Sequence, residues 1–261
     1  LQRIGADRAV LSLALGMTME FVRVPAGEFV MGSDKAKDRL AFDDELPQHK
    51  LTLPEYLIGK TEVTVAQFAA YVKATGAKTS ASSDLASKAT HPVVDVTWDD
   101  CIAFCAWASK LGGGEVLLPS EAEWEKAARG TDGRIYPWGN EAPDDTRLNY
   151  TLNVKDTTAV GKFGAKGQSP FGCDDMAGNV WEWTRSLWGK DGSKPEFGYP
   201  YMTRQAEREE VQAGREVLRV LRGGSFGYSA LDVRCACRYR YSPSSRYGGG
   251  GFRVILRPPS P

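Results

Sequence analysis

Apolar and polar residues alternate along the first quarter of the chain, which is the pattern of half-buried strands. Alternation around Phe21 and again around Phe29 predicts two strands within residues 19–31. The same alternation in residues 50–60 predicts two further strands, which we expect to pair with each other. For residues 7–15 we expect a short helix.

Three later segments begin with a hydroxyl residue that is followed, three positions on, by a side chain able to accept a hydrogen bond. Such a pair forms a capping box, because the hydroxyl accepts from an unpaired helical N–H while the later side chain reaches back. The pairs are Thr64 with Gln67, Thr97 with Asp100, and Ser120 with Glu123. Gly76, Gly112 and Gly130 follow and can end the helices, since glycine tolerates left-handed backbone.

After Gly130 the periodic signals fade. Residues 133–169 are loop-rich, and residues 186–217 are hydrophilic with weak periodicity, which favours an inserted surface excursion. Residues 218–221 and 252–256 again predict strands. A few elements separated by many loops indicate a mixed chain of helices and strands.

Composition and charge exclude several broad classes. The chain has 261 residues and a formal net charge of zero, so bulk attraction to nucleic acid or an acidic membrane is not implied. No apolar run is long enough to span a bilayer, and residues 9–16 lack the charged start and cleavage site of an ordinary signal peptide. The five cysteines show no CxxC spacing, which favours reduced, partly buried thiols over a zinc site.

The segment from Phe226 to Gly251 has an unusual composition. Its 26 residues are mostly Gly, Tyr, Ser and Arg, and contain no Trp, Met, Gln, Lys or Glu. These five types make up 48 of the 261 residues, so about five of them are expected in a segment of this length. Residues 222–225 and 251–254 flank the segment as rigid anchors. The joint absence needs an explanation.

Common catalytic motifs do not account for this segment. A Gly-x-Ser-x-Gly pattern occurs at residues 223–227, but no helical pattern follows it, so it lacks the strand–turn–helix context of a nucleophile elbow. The glycine runs at 223–224 and 248–251 lack the ending and the strand–loop–helix context of a phosphate loop. His49 and His91, the only two histidines, stand in sequences that favour a structural role.

Several motifs follow one another in a fixed order from about residue 20 to residue 255. They are residues 21–33 (FVRVPAGEFVMGS), 57–64 with GKTEVT, 91–98 (HPVVDVTW), 118–130 (LPSEAEWEKAARG), 136–140 (YPWGN), 175–183 (DMAGNVWEW) and the two anchors. As a set they resemble the formylglycine-generating enzyme, or sulfatase-modifying factor, family. The resemblance implies one α+β, loop-rich domain with a C-type lectin-like fold. We place an N-terminal extension at residues 1–20, the domain at 21–257, an insertion at 186–217 and a distinct region at 222–254.

Members of that family that oxidise a sulfatase cysteine to formylglycine use two cysteines shortly after the Gly-Gly-Ser anchor to bind copper. A thiolate pair suits Cu(I). In this chain no cysteine occurs between Ser225 and Cys235, and the stretch is shorter than in the enzymes. Cys235 corresponds to a structural cysteine of the family, and Cys237 matches no motif. We therefore expect no copper site, no catalytic residue and no such oxidase activity.

The absence of these five residue types resembles the composition of another group of proteins with this scaffold, the variable proteins of diversity-generating retroelements. In that branch the adenines of AAC codons are replaced, and the resulting codons never encode Trp, Met, Gln, Lys or Glu. The resemblance implies a non-catalytic, receptor-like or adhesin-like protein that displays hypervariable residues to a ligand. The alternatives are an oxidoreductase like the formylglycine-generating enzyme and an undiversified binding module.

The candidate diversified positions lie between fixed arginine, proline and glycine residues. They are Phe226, Gly227, Tyr228, Ser229, Leu231, Asp232, Cys237, Tyr239, Tyr241, Ser242, Ser244, Ser245, Tyr247, Gly248, Gly249 and Gly250, with Arg240 as a further candidate. Tyr, Ser and Gly dominate antibody contact loops, because Tyr supplies rigid amphipathic area while Ser and Gly supply adaptable hydrogen bonding. We predict that the four tyrosines together form the ligand surface.

The resemblance also implies structural calcium. By position, Asp175 and Glu182 would supply carboxylates, and Gly178 and Val180 would supply backbone carbonyls. A second family site maps to Asn149, the carbonyl of Tyr150 and Asp156. Mixed hard oxygen ligands are what calcium prefers. The alternative for Asp175 and Glu182 is that they accept hydrogen bonds from loop N–H groups.

The expected partner is an unidentified ligand, either a protein or a cell-surface molecule. We expect a monomer. The sequence leaves its location open, with the cell surface as one candidate, and membrane contact is expected only through an anchor missing from this sequence. Eight arginines and one aspartate occur from Arg219 onward, interleaved with tyrosines, which could grip phosphates and stack on bases. A nucleic-acid partner is nevertheless not the expectation, because several of these arginines fall at fixed positions where they can pair with acids inside the fold.

Overall fold

The computed structural model describes residues 1–14, 16–81, 84–201 and 206–258. Its strands are β1 (Gln2–Ile4), β2 (Arg8–Ala14), β3 (Met17–Val24), β4 (Gly27–Met31), β5 (His49–Leu53), β6 (Tyr56–Gly59), β7 (Glu115–Leu117), β8 (Trp181–Gly189), β9 (Leu218–Arg222), β10 (Tyr239–Tyr241), β11 (Gly250–Gly251) and β12 (Ile255–Arg257). Its helices are α1 (Val65–Thr75), α2 (Leu85–Lys88), α3 (Trp98–Ser109) and α4 (Glu121–Arg129), with 3₁₀ turns at Asp43–Glu45, Gly164–Lys166 and Glu207–Glu209.

The strands form three sheets. The largest has the order β1-β2-β3-β6-β12-β7, so β12, near the end of the chain, lies between strands from its first half. A four-stranded sheet has the order β10-β9-β8-β11, and β4 pairs with β5 alone. The β8–β11 pair is parallel, whereas the other pairs are antiparallel. The second sheet carries the region that the composition singled out.

The helix expected for residues 7–15 is wrong. Residues 8–14 form β2, and residue 15 lies outside the described residues. Ala9, Leu11 and Leu13 are buried while the positions between them face outward, so the burial has the period of a strand. β2 pairs with both β1 and β3, and this pairing outweighs local helix preference.

The sequence predicted the positions of these strands correctly but not which strands pair. The two strands within residues 19–31 are confirmed as β3 and β4, and those within 50–60 as β5 and β6. The expectation that β5 and β6 pair with each other is wrong. β5 pairs with β4, and β6 lies between β3 and β12, because Pro54 and Glu55 carry the chain from one sheet to another.

The three predicted helices are confirmed as α1, α3 and α4. Thr64, Thr97 and Ser120 each cap a helix through a reciprocal capping box. Gly76 ends α1 in the left-handed conformation, with φ of 70°, and Gly130 follows α4 with φ of 72°.

α4 is the central element of the fold, and all nine of its residues are buried. It contacts β4, β8 and β9. Burial of an ionised carboxylate is costly unless the group is paired and hydrogen-bonded. Glu125 pairs with Arg129 of the same helix at 2.6 Å. Glu121 and Glu123 need cationic partners from elsewhere in the chain.

The sheets and helices together form one loop-rich α+β domain, as predicted. Since β1 and β2 belong to the largest sheet, part of the expected N-terminal extension is paired with the rest of the molecule. The domain boundaries at residues 1–20, 21–257 and 186–217 stay predictions. Within the described ranges, no helix is both long and apolar enough to cross a membrane.

Candidate ligand-binding surface

The segment of residues 222–254 leaves β9, returns through β10 and β11, and ends before β12. A neighbouring loop holds its backbone. The N–H groups of Thr151 and Leu152 donate to the carbonyls of Tyr228 and Phe226 at 2.8 and 2.7 Å. These bonds do not involve side chains, so the path of the segment is held independently of which side chains it carries.

Four arginines of the segment, the framework arginines, are buried and paired with carboxylates from distant parts of the chain. The pairs are Arg222 with Glu125, Arg234 with Glu45, Arg238 with Glu121 and Arg253 with Glu182, and all eight side chains are 0% exposed. Removing one partner of such a pair leaves an uncompensated buried charge, which is strongly destabilising. The fixed positions of the segment thus serve the core.

The pair on the first turn of α4 shows how these charges are accommodated. Arg238 donates from Nε and Nη2 to the two oxygens of Glu121 at 2.7 and 3.0 Å. The hydroxyl of Tyr201 donates to the same carboxylate at 2.8 Å. Burial opposes ionisation of Glu121, but Arg238, Arg222 and Arg208 outweigh it, so its pKa lies below the usual range.

This burial bears on the nucleic-acid alternative. Of the eight arginines from Arg219 onward, Arg219 and the four framework arginines are at most 2% exposed. Of the others, Arg246 pairs with Asp100 at 2.7 Å and Arg257 with Glu123 at 3.0 Å. The basic composition of the segment is therefore mostly internal.

The tyrosines of the segment lie together at its surface. The tyrosine cluster consists of Tyr228, Tyr239, Tyr241 and Tyr247, all half-buried. Tyr239 stacks on the buried ring of Trp181 with centroids 5.1 Å apart, and Tyr228 meets that ring edge-on at 5.4 Å. Tyr241 bridges Tyr239 and Tyr247 at 5.3 and 5.1 Å. The cluster is thus a continuous aromatic surface with a tryptophan floor.

The polar atoms of this surface are suited to hydrogen bonding. Burial raises the pKa of Tyr228 and Tyr241, and raises that of Tyr247 well above its ordinary value, so the phenols stay neutral. A neutral hydroxyl can both donate and accept. The hydroxyl of Tyr247 and the indole Nε1 of Trp181 are buried and have no partner among the described residues.

The remaining candidate positions divide by exposure. Exposed or half-buried are Phe226, Gly227, Ser229, Leu231, Asp232, Ser242, Ser244, Ser245 and Gly248. Cys237, Gly249 and Gly250 are buried. A Cβ added at Gly250 would lie 2.4 Å from Cε1 of Tyr247, so that position has no room for a side chain while this tyrosine is present. The candidate display surface is therefore smaller than the set of candidate positions.

The structure adds Leu152, which sequence reasoning missed, to this surface. Leu152 is 52% exposed, and its Cδ2 would lie 3.8 Å from a Cβ at Gly227. Leu152 and Thr151 both have positive φ, at 60° and 51°, which is unusual for residues other than glycine. The loop has no periodicity, so no sequence signal could have placed Leu152 here.

A groove of about 570 Å³ opens beside the tyrosine cluster. Its walls come from three parts of the chain: the turn at residues 42–46, the insertion at residues 193–199 and the candidate segment. Asp232, Cys237, Tyr239 and the further candidate Arg240 are the candidate positions that line it. The hydrophilic insertion, which carried no motif, thus forms one wall of a cavity.

The first expected calcium region precedes and enters β8. Asp175, Gly178, Val180 and Glu182 are all buried. Oδ2 of Asp175 accepts from the N–H of Gly161 at 2.6 Å. Glu182 accepts from the indole of Trp124 at 2.7 Å and from Arg253 at 2.6 and 2.7 Å, so it already has a cation.

A third carboxylate, that of Glu62, lies in this region beside those of Asp175 and Glu182. The sequence did not suggest it. Its Oε1 accepts from Asn179 at 3.0 Å, whereas its buried Oε2 has no partner among the described residues. Burial, and then the charge of Asp175, raises the pKa of Glu62, and burial raises the pKa of Asp175 to about 6. Unpaired buried oxygen donors of this kind fit a calcium ion.

The side chains alone do not complete a calcium site. Within the described part of the chain, no group of three or more His, Cys, Asp or Glu side chains could hold a metal ion. A calcium ion near Asp175 would therefore depend on carbonyls such as those of Gly178 and Val180. Calcium binding here stays a prediction.

The second expected region has fewer donors available. Asp156 pairs with Lys88 at 2.7 Å, and the carbonyl of Tyr150 accepts from Asn153 at 3.0 Å. Only Oδ1 of Asn149 is buried without a partner among the residues described. This site also stays a prediction.

All five cysteines are free and buried. Burial raises the pKa of Cys173 to about 11 and that of Cys235 to about 12, and it raises the pKa of the other three as well. Nucleophilic attack and copper binding both need a thiolate. These thiols are kept protonated and away from solvent.

Comparison with known proteins gives consistent results. A family model described as "Sulfatase-modifying factor enzyme 1-like domain" matches residues 10–258. The formylglycine-generating enzyme of Streptomyces coelicolor is 32% identical, over 89% of this chain and 87% of that protein. The structure of PvdO from Pseudomonas aeruginosa is 27% identical, with a TM-score of 0.76, and covers 97% of this chain and 100% of that one. Treponema denticola variable protein 1 is 23% identical, with a TM-score of 0.70, over 96% and 99%.

Proposed function

Because the chain belongs to the family of sulfatase-modifying factor enzyme 1-like domains, its body could carry an oxidase centre or a binding surface, and we propose the second. The protein is a non-catalytic, receptor-like or adhesin-like ligand-binding protein, the variable protein of a diversity-generating retroelement. It acts as a monomer at the cell surface on a protein or cell-surface ligand.

The arrangement of residues 222–254 carries this proposal. Four half-buried tyrosines form one aromatic surface, and the four framework arginines of the same segment are buried in ion pairs. Tyrosine is enriched at binding hot spots, since it offers a large contact area with one polar end. A fixed frame with interchangeable side chains between its fixed residues is what a diversified surface requires.

The restricted composition of the segment supports diversification as the origin of this surface. A purely structural surface segment has no reason to lack Lys and Glu, which are common at solvent-exposed positions. Codons derived from AAC by adenine replacement exclude these two residues and Trp, Met and Gln as well. The likeness to Treponema denticola variable protein 1 is a likeness of fold, so the argument comes from the segment itself.

The oxidase alternative lacks a suitable thiol. No cysteine lies between Ser225 and Cys235, and Tyr228 occupies the third position after Ser225. The burial and the raised pKa of all five thiols oppose thiolate formation. We therefore propose that the chain binds no copper and does not make formylglycine.

Two experiments test the proposal. The first incubates the purified protein and copper with a sulfatase-derived cysteine peptide, and mass spectrometry follows oxidation to formylglycine. We expect no turnover, while the Streptomyces coelicolor enzyme serves as the positive control. Turnover would overturn the non-catalytic assignment.

The second experiment sequences the locus and its sibling genes. We expect a near-copy of the coding region that differs only at adenines, beside a reverse-transcriptase gene. Siblings should vary at Tyr228, Tyr239 and Tyr241 while keeping Arg234 and Arg238. Fixed tyrosines across siblings would instead indicate an undiversified binding module.

A further inference from the structure

Two neighbouring arginines of the segment have contrasting partners. The guanidinium carbons of Arg238 and Arg240 lie 4.9 and 4.7 Å from the ring centre of Trp188. Arg238 is neutralised by Glu121 through two hydrogen bonds. Arg240 is half-buried and forms no salt bridge and no side-chain hydrogen bond in the ranges described, although the charge of Asp44 is close enough to interact with it. Its donors are therefore open to a ligand.

Arg240 faces the groove beside the tyrosine cluster. It lines this cavity together with Lys194, Asp44 and Tyr239, and Tyr239 also belongs to the cluster. Lys194 is exposed and forms no ion pair with the described residues. A ligand that covers the tyrosines can thus extend into a cavity with two unpaired cations.

The acidic residues of the groove restrict what can bind there. Asp43 pairs with Lys35 at 2.5 Å, and Asp232 accepts from the hydroxyl of Ser229 at 2.7 Å. Asp44 is the remaining acid, and its Oδ1 is buried with no partner among the residues described. The groove therefore presents two cations without a salt bridge among the described residues, Asp232 with a hydroxyl but no cation as partner, and Asp44, whose carboxylate accepts no hydrogen bond from those residues.

We propose that this groove binds an acidic segment of a protein partner. A side-chain carboxylate of the partner lies against the guanidinium of Arg240, and a peptide N–H donates to Asp44. The planar guanidinium can form two parallel hydrogen bonds to a carboxylate, and stacking on Trp188 fixes its orientation beforehand. This inference rests on the proposed ligand-binding function and specifies its chemistry.

The test uses the full chain, labelled with ¹⁵N, and two small probes of matched shape. N-acetyl-glutamate N-methylamide carries the carboxylate and a peptide N–H, and N-acetyl-glutamine N-methylamide replaces the carboxylate by an amide. The NMR signals of the Trp188 indole N–H and the Arg240 Nε–H report binding. We expect the glutamate probe to shift both signals and to bind at least about tenfold more tightly than the glutamine probe.

Variants distinguish binding at this groove from a general effect of the protein's positive charges. Arg240→Gln should weaken glutamate binding at least about tenfold, and Arg240→Lys should keep part of it, with stronger dependence on salt. Lys194→Gln, at an exposed side chain, should weaken it less. Arg8→Gln, the same exchange at an arginine on β2 with no ion pair among the residues described, should change nothing.

Equal binding of the two probes, or undiminished binding by Arg240→Gln, would overturn the proposal, as would an equal loss in Arg8→Gln. If Arg240→Gln does not fold, Arg240→Lys and Lys194→Gln still decide, because neither removes a buried pair. Failure of the probe leaves the tyrosine cluster and the sibling-gene test unaffected. The proposal that the groove binds an acidic segment can therefore fail while the proposed function stands.

Discussion

The framework arginines and the tyrosine cluster alternate along one segment, but they depend on the rest of the fold in opposite ways. Each framework arginine neutralises a buried carboxylate, and Arg234 reaches Glu45 across 189 positions of sequence. The tyrosines contact one another and the ring of Trp181. Loss of an arginine leaves an unpaired charge in the core, whereas loss of a tyrosine leaves a shallower surface. The fold can therefore vary the second kind of side chain and not the first.

The largest effect is expected from breaking one framework pair. Glu121→Gln removes the charge that holds Arg238 and should lower the free energy of unfolding by about 3–5 kcal/mol, because a buried guanidinium is left unpaired. Urea unfolding measures this change. Glu115→Gln, the same exchange at an exposed residue, should stay within about 0.5 kcal/mol. A loss below about 1 kcal/mol for Glu121→Gln would show that the arginines are not a frame.

The second prediction concerns Asp175. Unlike Glu121, Asp175 forms no ion pair with the described residues. Burial raises its pKa to about 6, so the folded state holds the proton more tightly than the unfolded state. This contribution to stability is fully present below about pH 4 and is lost as the pH rises through about 6, by about 3 kcal/mol.

Asp175→Asn keeps an acceptor for Gly161 and has no proton to lose. Its stability relative to the wild type should therefore rise between pH 4 and pH 7, as measured by urea unfolding with a calcium chelator present. If calcium binds here, adding it should recover the loss in the wild type and not in the variant. A constant difference across this pH range would contradict the raised pKa.

The third prediction tests whether Gly250 can carry a side chain, as a position of the interchangeable surface must. Gly250→Ala should cost about 1–3 kcal/mol, because its Cβ would lie 2.4 Å from Tyr247. In a Tyr247→Ser background the same change should cost much less, since the obstructing ring is gone. Gly227→Ala, where the Cβ would make only an ordinary contact of 3.8 Å with Leu152, is the control and should be close to neutral. Additive costs of the two changes would mean that Tyr247 does not exclude a side chain at Gly250.

The smallest effect is expected at the outer part of the tyrosine cluster. Tyr241→Ser should cost about 1 kcal/mol in urea unfolding, because Tyr241 is half-buried and packs chiefly on Tyr239 and Tyr247. Tyr247→Ser should lower the free energy of unfolding more than Tyr241→Ser does, because the side chain of Tyr247 extends deep enough for its hydroxyl to be buried. A loss of about 3 kcal/mol or more for Tyr241→Ser would place this residue in the core and remove it from any interchangeable surface.

Local signals in the sequence were sufficient for the helices. The capping boxes at Thr64, Thr97 and Ser120 join residues three positions apart, so their hydrogen bonds can be inferred from spacing alone. The composition of residues 226–251 likewise needed no coordinates. The helix expected at residues 7–15 failed because the competing interaction, pairing with β1 and β3, joins residues that no local window contains.

The sequence by itself determined the capped helices, the likeness to a family scaffold and the restricted alphabet of one segment. Only the tertiary structure decided which arginines are neutralised, that the tyrosines are half-buried on Trp181, and that Arg238 has a carboxylate partner while Arg240 forms no salt bridge with the described residues. The physical reason is that burial and charge pairing depend on neighbours brought together from far apart in the chain. Arg238 and Arg240 are two residues apart, yet Arg238 donates to Glu121 and to the carbonyls of Asp44 and Phe197, all of which are distant in the sequence.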